Sequence, residues 1–280
     1  LQEALDRAEP GDTIELGPGS YYEDIKTFRD GSMEEPITIK GPASAVIRGA
    51  GDHQVVLVNH DYIHLEGFSI SGAGKEDWDS GLDPNFFSNH LIYVHGIRVR
   101  NVNLSCSYSI GSSRSGVVGF EANGLKLSHA GSTCVQLSYF VTHANVVDNE
   151  IVNCGMSVVM CAKDVNGCGR GLGVGTSFSE RMEGIGGEID ESAWNIIQRN
   201  SFSEIGGACL TLHEGTRANL VDGNTCIDSR DAAGAGIVVH GDANSFSANS
   251  VMDCDGAAIA VGGATVGSHH YGVFNRVRNT

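Results

Sequence analysis

One short pattern recurs along this 280-residue chain at the size of a single solenoid coil. It reads apolar, any residue, apolar, any residue, Asn, then an apolar residue and a turn. It appears as Ile97-Arg98-Val99-Arg100-Asn101, Val146-Val147-Asp148-Asn149, Ile196-Ile197-Gln198-Arg199-Asn200, Leu220-Val221-Asp222-Gly223-Asn224 and Phe246-Ser247-Ala248-Asn249. Arg276-Val277-Arg278-Asn279 is a further copy, and two more carry Gly67 and His129 in place of Asn. A repeat of this length cannot bury its apolar face alone and must stack on its neighbours.

Between these marks lie short apolar runs bounded by Gly, Asn, Asp and Ser, such as Ala208-Cys209-Leu210-Thr211-Leu212 and Gly236-Ile237-Val238-Val239. Such runs read as strands, and no repeat shows helical periodicity. Glycine, at 38 residues, is enriched and proline, at 5, is scarce, which suits many tight turns. The expected fold is all-β: a right-handed parallel β-helix in which Asn101, Asn149, Asn200, Asn224 and Asn249 form one inward-facing ladder. Five residues beyond that ladder, Cys106, Cys134, Cys154 and Cys254 form a second column interrupted by Ile205 and Ser229. This column is open to one disulfide or to plain thiol packing, and Cys161 with Cys168 is the better pair.

A single domain over 1–280 is expected. Residues 1–9 form an amphipathic helix, with Leu1, Ala4, Leu5 and Ala8 on one face, that caps the first coil. Long loops cover about 72–95 and 155–190, and the chain stops inside a fresh repeat, so more coils or another domain are expected to follow. Lys+Arg total 18 against Asp+Glu 34, a formal charge of −16, which disfavours nucleic acid and anionic membranes as partners. No apolar run is long enough to cross a bilayer. Eight cysteines without zinc-ribbon spacing point to a secreted, disulfide-bonded protein.

Two stretches resemble carbohydrate-active β-helix proteins, in particular polysaccharide lyase family six (alginate lyases and chondroitinase B). The first joins Leu1-Gln2-Glu3-Ala4-Leu5 to Pro10-Gly11-Asp12-Thr13-Ile14-Glu15-Leu16 and Pro36-Ile37-Thr38-Ile39. The second runs from Glu188 through Asn200 to Leu210-Thr211-Leu212-His213-Glu214-Gly215 and Gly236-Ile237-Val238-Val239-His240-Gly241. The resemblance implies a Lys and an Arg that neutralise a uronate and take its C5 proton. Here the Lys position is Glu191, the Arg position His213, its neighbouring His position Glu214, and a further Arg position Val238. The positions of the family's calcium-binding acids fall on Gly184 and Gly186, with Glu183, Glu188 and Asp190 out of register.

What remains is acidic. Glu191 and Glu214 stand 23 residues apart, close to one coil, so they can lie side by side as the two carboxylates of a glycosidase. His213 is assigned with them to catalysis, and Arg217, His240 and Trp78 to substrate binding. Asp228, Asp231, Asp253 and Asp255 read as turn residues open to calcium. His269-His270-Tyr271 makes a poor metal motif, so no metal site and no cofactor other than calcium is expected. The preferred function is glycan cleavage on an extracellular or cell-wall polysaccharide. The alternatives are an inert glycan binder and a structural module forming oligomers or filaments through its solenoid ends.

Overall fold

The structure, a computed structural model, describes residues 1–48, 55–58, 60–71, 117–128, 133–137, 140–155, 169–175, 190–230, 235–262, 272 and 274–278. It describes 92–94, 98–100, 103–107, 110–112, 129–130, 265–266 and 269–270 by their strands alone. Each coil contributes one strand to each of three sheets, of ten, nine and nine strands, all paired in parallel with the next coil. The fold is a parallel β-helix, as the repeat predicts.

Alternation explains the core. On the first sheet the inward column runs Ala122, Val146, Ile197, Val221 and Phe246, every member essentially sealed from water. The second sheet supplies Leu127, Ile151, Phe202 and Cys226 in the same way. On the third sheet both ends of each three-residue strand point inward, as in Leu172–Val174 and Leu210–Leu212. Stacking like on like fills the interior without any helix crossing it.

The Asn ladder is present in Asn149, Asn200, Asn224 and Asn249, all at most 3% exposed. Each Oδ1 accepts the backbone N–H of the residue one coil below, and Nδ2 of Asn149, Asn200 and Asn224 donates to Oδ1 one coil above. Asn101 and Asn279 lie outside the described residues. The residue before each ladder position is left-handed: Gly67 (φ 80°), Gly124 (69°), Asp148 (57°), Arg199 (53°), Gly223 (64°) and Ala248 (52°). Gly67 is therefore this turn residue and not a ladder position. His129 is not a ladder position either, because Lys126–Ala130 belongs to the second sheet and Leu125 occupies the ladder site, its N–H donating to Asn149 Oδ1.

A second ladder, absent from the sequence reading, runs through Asn195, Asn219, Asn244 and Asn275 where the third sheet turns into the first. The residues before it are again left-handed: Gly119, His143, Trp194, Ala218, Ala243 and Phe274. Two polar ladders thus satisfy the buried turn amides on both sides of the first sheet.

The N-terminal helix, Gln2–Arg7, lays Leu5 and Ala8 on the first coil. Its Gln2 side chain donates to the carbonyl and accepts from the N–H of Lys26, closing the edge of the third sheet. The expected loops need correction: Ile92–Val94 and Leu172–Val174, inside the spans 72–95 and 155–190, are regular third-sheet strands. At the other end Met252, Val261 and Val277 are each more than 40% exposed.

Disulfides join Cys134 to Cys154 and Cys209 to Cys226. The expected cysteine column holds for Cys154, Ile205, Ser229 and Cys254, but Cys134 stands instead at the start of a third-sheet strand. Cys161 and Cys168 lie outside the described residues, as does the side chain of Cys106.

An outer-face network spans four coils of the first sheet. Arg199 donates twice to Asp148, each bond 2.7 Å, and Asp222 accepts from Gln198 and Ser247. The hydrogen bonds from Arg199 hold the Asp148 carboxyl below its ordinary range, and those from Ser247 and Gln198 do the same for Asp222. A carboxylate with a depressed folded pKa stabilises the fold above its unfolded value and loses that contribution as pH falls through the folded one. Stability should therefore drop on acidification below about pH 4. Asp148→Asn with Asp222→Asn should flatten that fall, as read by denaturant midpoints across pH.

Candidate functional site

The turn from the third sheet into the first gathers chemistry from three consecutive coils. Glu191 precedes the bridge residue Ala193, Arg217 is its partner one coil on, and Asp242 follows. Four residues connect Leu212 to Arg217 where two connect Val239 to Asp242, so His213-Glu214-Gly215-Thr216 carries two extra residues. Gly215, at φ 87°, turns that bulge.

Glycine is required on either side of it. A Cβ on Gly241 would lie 2.2 Å from Thr216 Oγ1, and one on Gly175, at φ 77°, 2.4 Å from Thr216 Cγ2. Thr216, fully buried, donates from Oγ1 to the His213 carbonyl and locks the bulge from within. Below it, Asp190 and Ser192 are also sealed from water. Asp190 Oδ1 accepts from the Ser192 hydroxyl and the Phe140 N–H, and Ser192 Oγ from the Val141 N–H. The turn is a preorganised scaffold, its exposed groups standing on buried, hydrogen-bonded ones.

Arg217 donates to Glu191 at 2.9 Å, both side chains about half exposed. An ion pair this wet contributes about 0–1 kcal/mol, so either partner can be drawn onto a ligand at little expense. The same guanidinium sits 5.6 Å from the centroid of the Trp194 ring, within cation–π reach. His143 stacks on Trp194, centroids 5.6 Å apart and planes inclined by 26°. Trp194 itself is 49% exposed at φ 56°, a conformation that costs a non-glycine residue about 1 kcal/mol.

The sequence-derived residues Glu191, His213, Glu214, Arg217 and His240 all fall on this one turn. The register sets Gly215, rather than Glu214, two residues before the bridge beside Glu191. His213 is only 3% exposed, while Glu214 is half-buried. His240 is half-buried and donates from Nδ1 to the Gly262 carbonyl at 3.1 Å. Trp78, Gly184 and Gly186 lie outside the described residues, as does Asp231. Asp228 and Asp253 are not turn residues: they lie inside the second-sheet strands Thr225–Ser229 and Ser250–Cys254, at left-handed φ, and Asp228 is bonded to Arg230. Among the described residues no three His, Cys, Asp or Glu side chains come together as a metal site. His269–His270 pairs antiparallel with Thr265–Val266, and its side chains are outside the description.

Sequence reasoning missed Trp194 and His143. Aligning Trp194-Asn195 with Ala218-Asn219, Ala243-Asn244 and Phe274-Asn275 would have exposed both the second ladder and the outward column beside it.

No protein-family model matches the sequence, and no curated protein does. Solved structures do. An alginate lyase from Paenibacillus sp. str. FPU-7 superposes with a TM-score of 0.59 at 19% identity, over 90% of this chain and 72% of that one. A family-six alginate lyase in complex with a trisaccharide gives 0.61 at 10% identity, over 97% of this chain and 65% of that one. The A-module of an Azotobacter vinelandii mannuronan C-5 epimerase gives 0.50 at 11%, over 100% and 82%. This chain thus spans about two thirds to four fifths of those proteins' lengths. With three parallel sheets, coil-to-coil ladders and these superpositions, the chain has the parallel β-helix fold of the polysaccharide lyases.

Proposed function

We propose that this protein is a secreted, carbohydrate-active β-helix protein that takes a polysaccharide along the turn between its third and first sheets. The observation that carries this reading is the convergence of Glu191, Glu214, Arg217 and His240, with exposed Trp194, on one rigid turn of three coils. The polysaccharide-acting names among the structural neighbours support the ligand class. The two disulfides fit an oxidising compartment, and no described helix is long and apolar enough to cross a membrane.

Hydrolysis is the reaction this turn suits better than uronate elimination. Elimination needs a cation for the uronate carboxylate and a separate base. Among the described residues of the turn Arg217 is the one permanent cation, and it stands among the carboxyl groups of Glu191, Glu214 and Asp242, so the charge of the turn opposes a uronate. Two carboxyl groups, Glu191 and Glu214, instead supply the acid and the nucleophile or base of glycoside cleavage. Arg217 and His240 then hold sugar hydroxyls.

The test is incubation of the protein with neutral glucans, xylan, alginate and pectate, following reducing ends and ultraviolet absorbance together. New reducing ends without absorbance are expected, and they should fall at least about a hundredfold in Glu191→Gln and in Glu214→Gln. A rise in absorbance would show elimination and remove the carboxylate pair. Binding without cleavage would leave a glycan-binding protein. Neither binding nor cleavage of any polymer would overturn the carbohydrate reading.

A further inference from the structure

The outward column beside the second Asn ladder has a profile of its own. In successive coils it presents Gly119, His143, Trp194, Ala218, Ala243 and Phe274, every one at positive φ. A Cβ on Gly119 would meet nothing within 4 Å, so the surface there is open. His143 and Trp194 form a stacked pair, Trp194 is 49% exposed and Phe274 88% exposed. Between Trp194 and Phe274 the two intervening coils carry only alanine. Three coil steps at the strand spacing separate the two aromatic rings by about 14 Å. The result is a low floor of Ala218 and Ala243 between two raised aromatic ends, running parallel to the solenoid axis.

Large side chains at left-handed positions are disfavoured, and the chain uses Gly or Ala at this position in three of those six coils. Exposed aromatics kept there gain nothing from the core, so folding does not explain them. Their faces suit the apolar C–H face of a pyranose ring whose hydroxyls are all equatorial. The charges nearby argue against a polyanion. Arg217 is neutralised by Glu191, Asp242 adjoins the floor, and the whole chain carries −16.

We propose that this ridge is a docking track for a neutral, equatorially linked polysaccharide, held by stacking on Trp194 and Phe274 with the intervening sugars over Ala218 and Ala243. This rests on the carbohydrate reading above and adds the substrate class, setting the chain apart from uronate-directed proteins of the same fold. Affinity should rise with oligosaccharide length until both aromatic ends are reached and then level off. It should be insensitive to salt, because no net charge is neutralised.

The experiment titrates the full chain with cello-oligosaccharides of increasing length and, in parallel, with oligomannuronate. It reads tryptophan fluorescence and calorimetric affinity. Saturable binding of the neutral series is expected, with about tenfold weaker affinity in Trp194→Ala and in Phe274→Ala. Tyr22→Ser, on the exposed second-sheet strand Gly19–Tyr22, should leave it unchanged. Neither aromatic variant threatens the fold, since Ala218 and Ala243 already stand at the equivalent position. Trp194→Gly should keep or raise the melting temperature while losing affinity, which a structural role would not allow. If the neutral series binds equally well to both alanine variants, the ridge is overturned and the carbohydrate reading stands. If only oligomannuronate binds, the neutral class is overturned and the carbohydrate reading again stands. If neither binds, and the polymers of the earlier test fail too, both fall.

Discussion

Reducing both disulfides should lower the stability of the solenoid by about 3 kcal/mol for each bridge, the largest single change expected for this chain. Cys134–Cys154 closes 20 residues and Cys209–Cys226 closes 17, so each encloses somewhat less than one coil and links the second-sheet side of the helix to the start of a third-sheet strand. In the unfolded chain each bridge removes the freedom of such a loop, and that constraint disappears on reduction. Denaturant midpoints with and without reductant read the combined effect, and Cys209→Ala with Cys226→Ala isolates one bridge. Cys254, the unpaired cysteine among the described residues, should not scramble the pairing, because burial pushes its thiol pKa up and leaves little thiolate to attack. Identical midpoints in both conditions would mean that the bridges do not constrain the chain as its folded geometry implies.

The architecture was legible because a coil repeats its constraints. Asn149, Asn200, Asn224 and Asn249 each follow an inward apolar residue by the same interval, so one frame aligned them all. The frame slipped where a ladder position is apolar. Leu125-Lys126-Leu127-Ser128-His129 alternates as well as Glu121-Ala122-Asn123-Gly124-Leu125 does, and only strand pairing tells them apart. The second ladder escaped for a related reason. It begins at Asn195 after a long excursion, the register puts Ala144 and Phe120 below it, and the residues before its asparagines vary because they face solvent.

The site was legible as a neighbourhood but not as a set of contacts. A 23-residue spacing brought Glu191 and Glu214 to the same turn, as one coil should. The two extra residues of the bulge then put Gly215 in the matching place and left Arg217 as the partner of Glu191. A slip of one residue changes which side chain faces out, and a turn carries no alternation from which to read it. Trp194 was passed over on the same account: its exposure follows from a left-handed backbone, which the sequence shows only once the asparagine beside it is aligned with its neighbours.

Asn224→Leu should cost about 2–3 kcal/mol, although leucine is nearly isosteric and the site is buried. The Asn224 amide is a two-sided connector. Its Oδ1 accepts the N–H and Nδ2 of Asn200, at 2.9 and 3.0 Å, and its Nδ2 donates to the Ile197 carbonyl and to Asn249 Oδ1. Leucine would leave the two Asn200 donors and the Ile197 carbonyl without those bonds in a dry interior, and the desolvation penalty of such groups exceeds any gain from an added apolar side chain. The ladder's lower end provides the comparison. Leu125 already occupies a ladder position there without harm, because it stands beneath Asn149 and its N–H is accepted from above. Asn149→Leu would leave the Leu125 N–H and the Ala122 carbonyl unbonded, one donor fewer than the change at Asn224. The expected order is therefore a smaller loss at Asn149 than at Asn224, measured by urea midpoints on the oxidised protein. Equal losses would show that the cost comes from shape alone, and no loss at Asn224 would show that water reaches the ladder and replaces its bonds.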